Sequence, residues 1–306
     1  MSHVDAEPAM PAERVLEVEK LRIAFAAQSK TPIEVVRGVS FHIDRGETLA
    51  LVGESGSGKS VTAMTLMRLT EHDGATITEG SIRLRGREGR VMEITRIPLD
   101  KMIDVRGADV SIVFQDPMSS LNPVFTVGEQ ICEAIVQHQG KSMREAEQIA
   151  LKTLQLVRVP DAARRMKQYP HEFSGGMRQR VMIAMALSCK PSLLILDEPT
   201  TALDVTIQAQ ILDLVRSLQE EIGMSALFIT HDMGVVAEVA DRVCVMYNGA
   251  LVEQGDVFSI FEAPRHEYTK ALIAAVPQLG SMTETDMPAK FPLVEFSRNR
   301  NAGAGA

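Results

Sequence analysis

The chain has 306 residues, a hydrophobic fraction of 45% and a formal net charge of -8. This size and hydrophobic content fit one large folded domain or two small ones, whereas the acidic balance argues against a protein that binds nucleic acid through a general basic surface. Tryptophan is absent and aromatic residues make up only 4%, which disfavours RNA binding by base stacking.

The first third of the sequence is predicted to be rich in strands. Residues 1–13 read as a disordered leader without the basic and apolar stretches of a signal peptide. Residues 48–52 form an apolar run typical of a buried strand, and the residues after position 60 have helical spacing. Strand patterns also occur at 15–23, 34–43, 81–85 and 90–94. The segments 81–85 and 90–94 resemble the two strands of a hairpin.

The remainder of the chain is predicted to be helical first and then alternating. Residues 126–157 carry apolar side chains at one-face helical spacing, which indicates a helical insert. Strand patterns then alternate with helix patterns, which predicts an α/β fold with a doubly wound, mostly parallel sheet. No window of about eighteen apolar residues occurs, so we expect no membrane-spanning segment. The alternating segments are 181–187 (helix), 193–196 (strand), 207–218 (helix), 226–230 (strand) and 243–247 (strand).

A glycine-rich segment between the apolar run and the following helix carries the strongest chemical signal. Its small residues allow successive backbone N–H groups to converge on one anion, and the helix N-terminus adds positive potential. Lys59 is then placed to reach the β- and γ-phosphates of a nucleotide, and Ser60 to offer its hydroxyl to Mg²⁺. The candidate phosphate-binding residues are Gly53, Glu54, Ser55, Gly56, Ser57, Gly58, Lys59, Ser60 and Val61.

Two acidic residues follow the strand predicted at 193–196. Because ligands of open α/β sheets bind outside the carboxyl ends of the strands, Asp197 is placed to hold Mg²⁺ and Glu198 to orient or deprotonate an attacking water. Taken alone, the pair is as readily a solvated acidic turn. Together with a phosphate-binding loop, it indicates nucleotide hydrolysis.

A second glycine-rich element lies at Ser174, Gly175, Gly176 and Met177, just before the helix at 181–187. Taken alone, it is an ordinary helix N-cap with flexible glycines. One nucleotide already has its cradle in residues 53–60, so a second anion-ready helix start suggests a grip on the γ-phosphate of a nucleotide held by another subunit.

Together these residues resemble the ATPase subunit of ATP-binding-cassette (ABC) transporters. The resemblance covers residues 14–260 and implies a P-loop NTPase (RecA-like) core with a mostly parallel sheet, an antiparallel β subdomain and a helical subdomain at about 116–185. Phe173 and Met177 depart from the commonest signature residues. The matching elements are Walker A (53–60), Gln115 of the Q-loop, the signature loop (174–177), Walker B (193–198), the D-loop (202–204) and the switch histidine His231.

The resemblance implies a role for each matching residue. Glu198, His231, Gln115 and Lys59 are expected to act in catalysis, and Ser60, Gln115 and Asp197 to hold the metal. Ser174–Met177 are expected to contact nucleotide. Phe25 falls where the family places an aromatic that stacks on adenine, although a core position explains it equally well.

Further matches resemble the oligopeptide and dipeptide importer branch. Residues 263–272 resemble its C-terminal extension, expected at 261–295, with Glu267 in place of the usual proline. No cysteine follows Cys244, so we expect no iron–sulphur cluster. Residues 276–280 and 291–294 resemble the N-terminal cassette of fused glutathione importer ATPases. The disordered tail at 296–306 then reads as a linker between cassettes or as a frayed terminus.

The resemblance also implies partners and a location. We expect ATP and Mg²⁺ as ligands, two membrane permease subunits, a periplasmic or lipid-anchored peptide-binding protein and a second cassette. That cassette is a second copy, a sister subunit or a fused half. The chain is expected at the cytoplasmic face of the inner membrane, without nucleic acid. The alternatives are a soluble ABC ATPase acting on nucleic acid or the ribosome, and a regulatory module without turnover.

Overall fold

A computed structural model of the protein describes residues 10–26, 32–116, 120–201 and 203–276. Some predictions lie outside the described residues. These are most of the leader, residue 202 of the D-loop, and residues 277–306 with most of the C-terminal extension and tail.

The strands form two sheets. One is four-stranded and antiparallel, in the order β2-β1-β4-β5; the other is six-stranded, in the order β10-β9-β3-β8-β7-β6. In the larger sheet β9, β3, β8, β7 and β6 run parallel, and β10 pairs antiparallel with β9. The bounds are β1 Arg14–Phe25, β2 Ile33–Asp44, β3 Thr48–Val52, β4 Ala75–Arg85, β5 Val91–Glu93, β6 Val110–Val113, β7 Leu193–Asp197, β8 Ser225–Thr230, β9 Arg242–Tyr247 and β10 Ala250–Asp256.

The central parallel strands are buried on both faces. In β7, Leu194 and Leu196 pack into a core shared with the helices between β6 and β7, whereas Leu193 and Ile195 pack into a core shared with the antiparallel sheet. Successive side chains of a strand point to opposite faces. A continuous apolar run such as β7 therefore serves two cores at once, which explains why it reads as a buried parallel strand.

Several helices begin at identifiable side-chain caps. Thr126 with Glu129 and Ser142 with Glu145 form reciprocal capping boxes at two helices of the segment between β6 and β7. The helix bounds are α1 Lys59–Leu66, α2 Val127–Gln139, α3 Met143–Leu156, α4 Ala162–Arg165, α5 Gly175–Leu187, α6 Val205–Ile222, α7 Met233–Val239, α8 Val257–Glu262 and α9 Glu267–Ala274. Short 3₁₀ turns lie at Thr70–Asp73, Ile94–Arg96, Leu99–Asp104 and Pro170–Glu172.

A third, smaller core joins the chain's last described helices to the parallel sheet. Ala50 and Val52 of β3 lie in it with Ile260 of α8 and Tyr268 of α9. The strand that leads into the glycine-rich loop is thereby covered by residues 257–274. Within the described part of the chain, no helix is both long and apolar enough to cross a bilayer.

The structure confirms the predicted α/β class, with a mostly parallel sheet and a separate antiparallel one. Two strands were not predicted. β6 has only four residues, and β10 carries glutamate, glutamine, glycine and aspartate in its second half, so neither shows a clear apolar pattern. Both lie at the edges of the larger sheet; β10 is half-buried to exposed there, whereas β6 is mostly buried but too short to show a period. The domain boundaries at residues 14, 260 and 295 stay predictions.

Candidate nucleotide-binding site

The carboxyl ends of four parallel strands bring the candidate residues together. β3 leads into the loop at residues 53–58, β7 ends at Asp197, and β8 is followed directly by His231. Gln115 lies two residues beyond β6. Since β3, β8, β7 and β6 are consecutive neighbours in the sheet, all of these residues lie along one edge, where open α/β sheets bind ligands.

The loop is seated tightly on the neighbouring strand β9. A Cβ atom at Gly53 would lie 2.1 Å from the backbone oxygen of Met246, and one at Gly58 would lie 2.8 Å from Cε of the same residue. Gly58 also has a φ of 103°, in the left-handed region that favours glycine. Gly53 is therefore required by close approach to backbone, and Gly58 by its backbone conformation. Residues 54–56 of the loop are exposed, whereas residues 57–59 are buried.

Lys59 is folded back onto its own loop. Its Nζ donates to the backbone oxygens of Gly53 at 2.7 Å and Glu54 at 2.9 Å. Burial lowers the pKa of Lys59, and the nearby carboxylates of Glu198, Asp197 and Glu54 partly offset that effect. A buried ammonium group at the start of a helix, surrounded by carbonyls that a stronger acceptor can replace, is suited to bind phosphate oxygens.

Ser60 and Asp197 meet across the site. The Ser60 hydroxyl donates to Oδ1 of Asp197 at 3.0 Å. Burial raises the pKa of Asp197, and Glu198 adds to the rise, while the bond from Ser60 and the charge of Lys59 act in the opposite direction. Mg²⁺ in nucleotide sites is commonly held by one or two carboxylates together with phosphate oxygens and water. One carboxylate and one hydroxyl beside a phosphate loop therefore fit that ion.

Glu198 is the most highly connected side chain of the site. Its Oε2 accepts from Gln115 Nε2 at 3.2 Å and from the Thr201 hydroxyl at 3.0 Å, and its Oε1 lies 3.2 Å from Nδ1 of His231. The Glu198 side chain is 15% exposed, whereas that of His231 is 52% exposed. Glu198 also has a φ of 48°, an uncommon conformation for a non-glycine residue. Such local backbone strain is concentrated at functional sites.

Ser57 supplies an independent test of whether the loop fits a ligand. Its hydroxyl oxygen is buried and, within the described part of the chain, makes no hydrogen bond. A buried polar atom without a partner needs an explanation, and an absent ligand is one. The Ser57 hydroxyl lies in the middle of the candidate phosphate loop. This structural observation, which does not depend on the sequence pattern, also indicates that the loop fits a phosphate-bearing ligand.

The second glycine-rich element starts helix α5. Ser174 is its N-cap, with the hydroxyl accepting from the backbone N–H of Met177 at 3.4 Å. A Cβ atom at Gly176 would lie 2.6 Å from Cγ2 of Ile207, which shows that α5 begins in close contact with the first turn of α6. Gly176 is thus in contact with the helix that directly follows the D-loop.

Other predicted residues lie at the margin of the site. Phe25 is the last residue of β1 and is half-buried, with its ring against the core between the two sheets. Val61 is half-buried on α1 and packs against the same core. Stacking of Phe25 on a base stays a prediction.

Two contacts at the site were not predicted. Thr201 was part of a matched segment but carried no role, and its hydroxyl holds the carboxylate of Glu198. Tyr268, 214 residues away in sequence, accepts a hydrogen bond from the backbone N–H of Glu54 at 2.8 Å. A hydroxyl three positions after Glu198 is a usable signal for the first. Sequence pattern offers none for the second.

Two known families match parts of the chain. The family described as "ABC transporter" matches residues 36–201, and that described as "Oligopeptide/dipeptide transporter, C-terminal region" matches residues 252–295. The first match spans the phosphate loop, Gln115, residues 174–177, Asp197 and Glu198. The second includes α8 and α9.

Curated relatives are similar over nearly the whole chain. The glutathione import ATP-binding protein GsiA of Pectobacterium atrosepticum is 58% identical over 95% of this chain, and that of Escherichia coli strain K12 is 58% identical over 97% of it. These matches cover 46% and 47% of the relatives. The chain therefore spans about half the length of the curated relatives it matches.

Solved structures of cassettes share the fold. The ATP-binding cassette MJ0796, in a dimeric post-hydrolysis state with ADP and Pi, superposes with a TM-score of 0.67 at 26% identity, covering 79% of this chain and 98% of that one. CbiO1 from Clostridium perfringens, part of the cbiONQ transporter complex, superposes with a TM-score of 0.68 at 26% identity, covering 82% and 92%.

Proposed function

The chain belongs to the ABC transporter family, and from this premise we propose that it binds and hydrolyses ATP to drive import of small peptides, with glutathione as the substrate. The observation that carries the proposal is the arrangement around Glu198. Its carboxylate is held by Gln115, Thr201 and His231, at the sheet edge that also bears Lys59 and the Ser60–Asp197 pair. Glutathione is supported by the relatives at 58% identity.

In the proposed reaction, the loop at 53–60 binds the phosphates of ATP. Lys59 keeps its bond to the oxygen of Gly53 and exchanges its bond to the oxygen of Glu54 for bonds to phosphate oxygens, and Ser57 gains a partner for its buried hydroxyl. Water then attacks the γ-phosphorus in line with the leaving oxygen. Glu198 orients that water and accepts its proton, while Gln115 and Thr201 hold the carboxylate in place.

His231 is proposed to stabilise charge on the γ-phosphate. In the structure its Nδ1 faces Glu198, so Nε2 is the ring nitrogen left to meet a phosphate oxygen. Mg²⁺, held by Ser60 and Asp197 and neighboured by Gln115, would neutralise charge on the β- and γ-phosphate oxygens. Ser60 already orients its hydroxyl on Asp197, so both groups are placed before any ion binds.

The complete site is proposed to need a second cassette. Ser174–Met177 form a capped helix start that packs on α6, so they can face a nucleotide on another subunit. Support comes from the dimeric cassette structures among the similar folds. We propose that closure of two cassettes around ATP moves the segment 127–187 and so transmits hydrolysis to a membrane partner.

The partners and location follow from the same proposal. We propose two membrane permease subunits and a periplasmic or lipid-anchored protein that delivers the peptide. The chain then works as a peripheral subunit on the cytoplasmic face of the inner membrane. The C-terminal match at 252–295 and the curated relatives support this assignment. The second cassette is another copy, a sister subunit or a fused half.

Two measurements test the proposal. The first is phosphate release from ATP by the chain with Mg²⁺, compared between wild type and S174R. The shared-site arrangement predicts loss of hydrolysis in S174R with unchanged ATP affinity of the monomer. Loss of monomer affinity instead would contradict a shared site. The second is uptake of labelled glutathione and of dipeptides, compared between wild-type cells and cells whose chromosomal copy of the gene carries E198Q; equal uptake by the two strains would refute the importer role.

A further inference from the structure

The peptide group that joins Gly53 to Glu54 is held from both sides. Its C=O accepts from Lys59 Nζ at 2.7 Å, and its N–H donates to the hydroxyl oxygen of Tyr268 at 2.8 Å. A trans peptide is planar, and its C=O and N–H point in opposite directions. Rotation of this one group would therefore break both bonds together. The orientation of the oxygen that receives Lys59 is thus coupled to Tyr268.

Tyr268 is itself firmly placed. It is 1% exposed, and its ring lies 4.4 Å from that of Tyr247, centroid to centroid. It belongs to the core that includes Ala50 and Val52, in the strand that leads directly into the loop. Burial raises the pKa of Tyr268 to about 12. The hydroxyl therefore stays neutral at physiological pH and serves as an acceptor for the Glu54 N–H.

The helix that carries Tyr268 is anchored to the sheet at its first turn. The carboxylate of Glu253 in β10 accepts from the backbone N–H groups of Arg265 at 2.8 Å and His266 at 3.0 Å. The side chain of His266 then accepts from the N–H of Tyr268 at 3.1 Å. The loop is seated on β9, and β10 pairs with β9. The same pair of strands therefore fixes both the helix and the loop.

We propose that Tyr268 is a positioning residue for Lys59, acting through the Gly53–Glu54 peptide. Helix α9 is then a structural part of the nucleotide site, although it lies outside the segment that matches the ABC transporter family. The inference rests on the proposed binding of ATP at this loop. A Tyr268 that merely fills the core would affect folding without affecting how Lys59 meets phosphate, and this difference makes the two roles separable.

The test is a double-mutant cycle on the full chain with Y268F and K59M. Y268F keeps the ring and its tilted contact with Tyr247 and removes the hydroxyl that accepts from the Glu54 N–H. Because Y268F frees the Gly53–Glu54 peptide to turn its oxygen away from Lys59, we expect the Kd for ATP to rise by about 3- to 10-fold. In the K59M background, Y268F should leave the Kd unchanged. Y247F, which removes the neighbouring hydroxyl and keeps both rings, is the matched control.

The outcomes separate this inference from the proposed function. Wild type that binds no ATP refutes the proposed function. If wild type binds ATP, two outcomes overturn the role of Tyr268. One is a Kd of Y268F equal to that of wild type; the other is a Kd raised by the same factor whether residue 59 is lysine or methionine. Hydrogen exchange of the Glu54 amide, measured without nucleotide, should be faster in Y268F than in Y247F; equal exchange also overturns it. If Y268F does not fold, E253Q loosens the same helix and should weaken ATP binding only when Lys59 is present.

Discussion

Replacement of Glu198 by glutamine isolates its charge from its shape. The amide keeps one oxygen, so it retains an acceptor for one side of the cluster formed by Gln115, Thr201 and His231. Its NH₂ group faces donors on the other side, where one or two hydrogen bonds are lost. At about 0.5–1.5 kcal/mol for each bond, the fold should lose no more than about 3 kcal/mol.

The effect on catalysis should be much larger than the effect on folding. An amide cannot take a proton from water, so E198Q loses general-base assistance. That assistance is typically worth about 10²- to 10⁴-fold, or about 2.7–5.4 kcal/mol of activation free energy. ATP affinity should be retained, because Lys59 and the loop N–H groups are untouched. Slow turnover should in turn trap two cassettes closed around ATP.

The assay combines phosphate release with a titration of ATP binding and a measurement of mass in solution with ATP and Mg²⁺. E262Q makes the same chemical change at an exposed position of α8 and serves as the matched control. E198Q should release phosphate at least about 100-fold more slowly than E262Q, with similar ATP affinity and a larger share of dimer. Hydrolysis near the wild-type rate would remove Glu198 from its proposed role.

Two other substitutions and one labelling experiment have predicted outcomes. D197N should raise the free energy of unfolding of the free chain by about 0.5–2 kcal/mol, because burial raises the pKa of Asp197 and so makes its ionised form the less favoured one. Because the pKa of Asp197 is higher in the folded chain, the folded chain holds a proton that the unfolded chain has already lost. The contribution of Asp197 to the free energy of unfolding therefore falls as pH rises from its unfolded pKa to its folded pKa. Urea unfolding at pH 4 and pH 8 should show the larger gain at pH 8, while hydrolysis is lost; an equal or reversed gain would refute the reasoning. G53A should lower the free energy of unfolding by about 1–3 kcal/mol, since its Cβ would lie 2.1 Å from the Met246 oxygen, and unchanged denaturant midpoints would contradict that. Cys244 is fully buried and burial raises its pKa to about 12, so iodoacetamide at pH 8 should label it only in urea; labelling of the native chain would show that the strand opens.

Much of the site was predictable because its signals are local. The glycines, Lys59 and Ser60 are consecutive, and their chemistry follows from the strand before them and the helix after them. Asp197 and Glu198 follow an apolar run, so their place at a strand end was also predictable. The likeness of the whole pattern to a known family then predicted Gln115 and His231 as neighbours of the site.

Other features were not predictable because their causes are distant in sequence. β6 and β10 exist because they pair with β7 and β9, and not because of strong patterns of their own. Gln115 and His231 were separately identified and Thr201 was not, and only folding shows that a single carboxylate connects all three. Short edge strands and side-chain networks depend on tertiary context more than on propensity.

The sequence by itself determined the class of the protein, the phosphate loop and the acidic strand end, because backbone geometry and charge at these places depend on neighbouring residues. Only the tertiary structure decided which groups hold those residues still. The carboxylate of Glu198 is held from three directions, and the Gly53–Glu54 peptide is held by a tyrosine 214 residues away. Hydrogen bonds at such separations form only after the sheet and its covering helices have packed, so no local pattern encodes them.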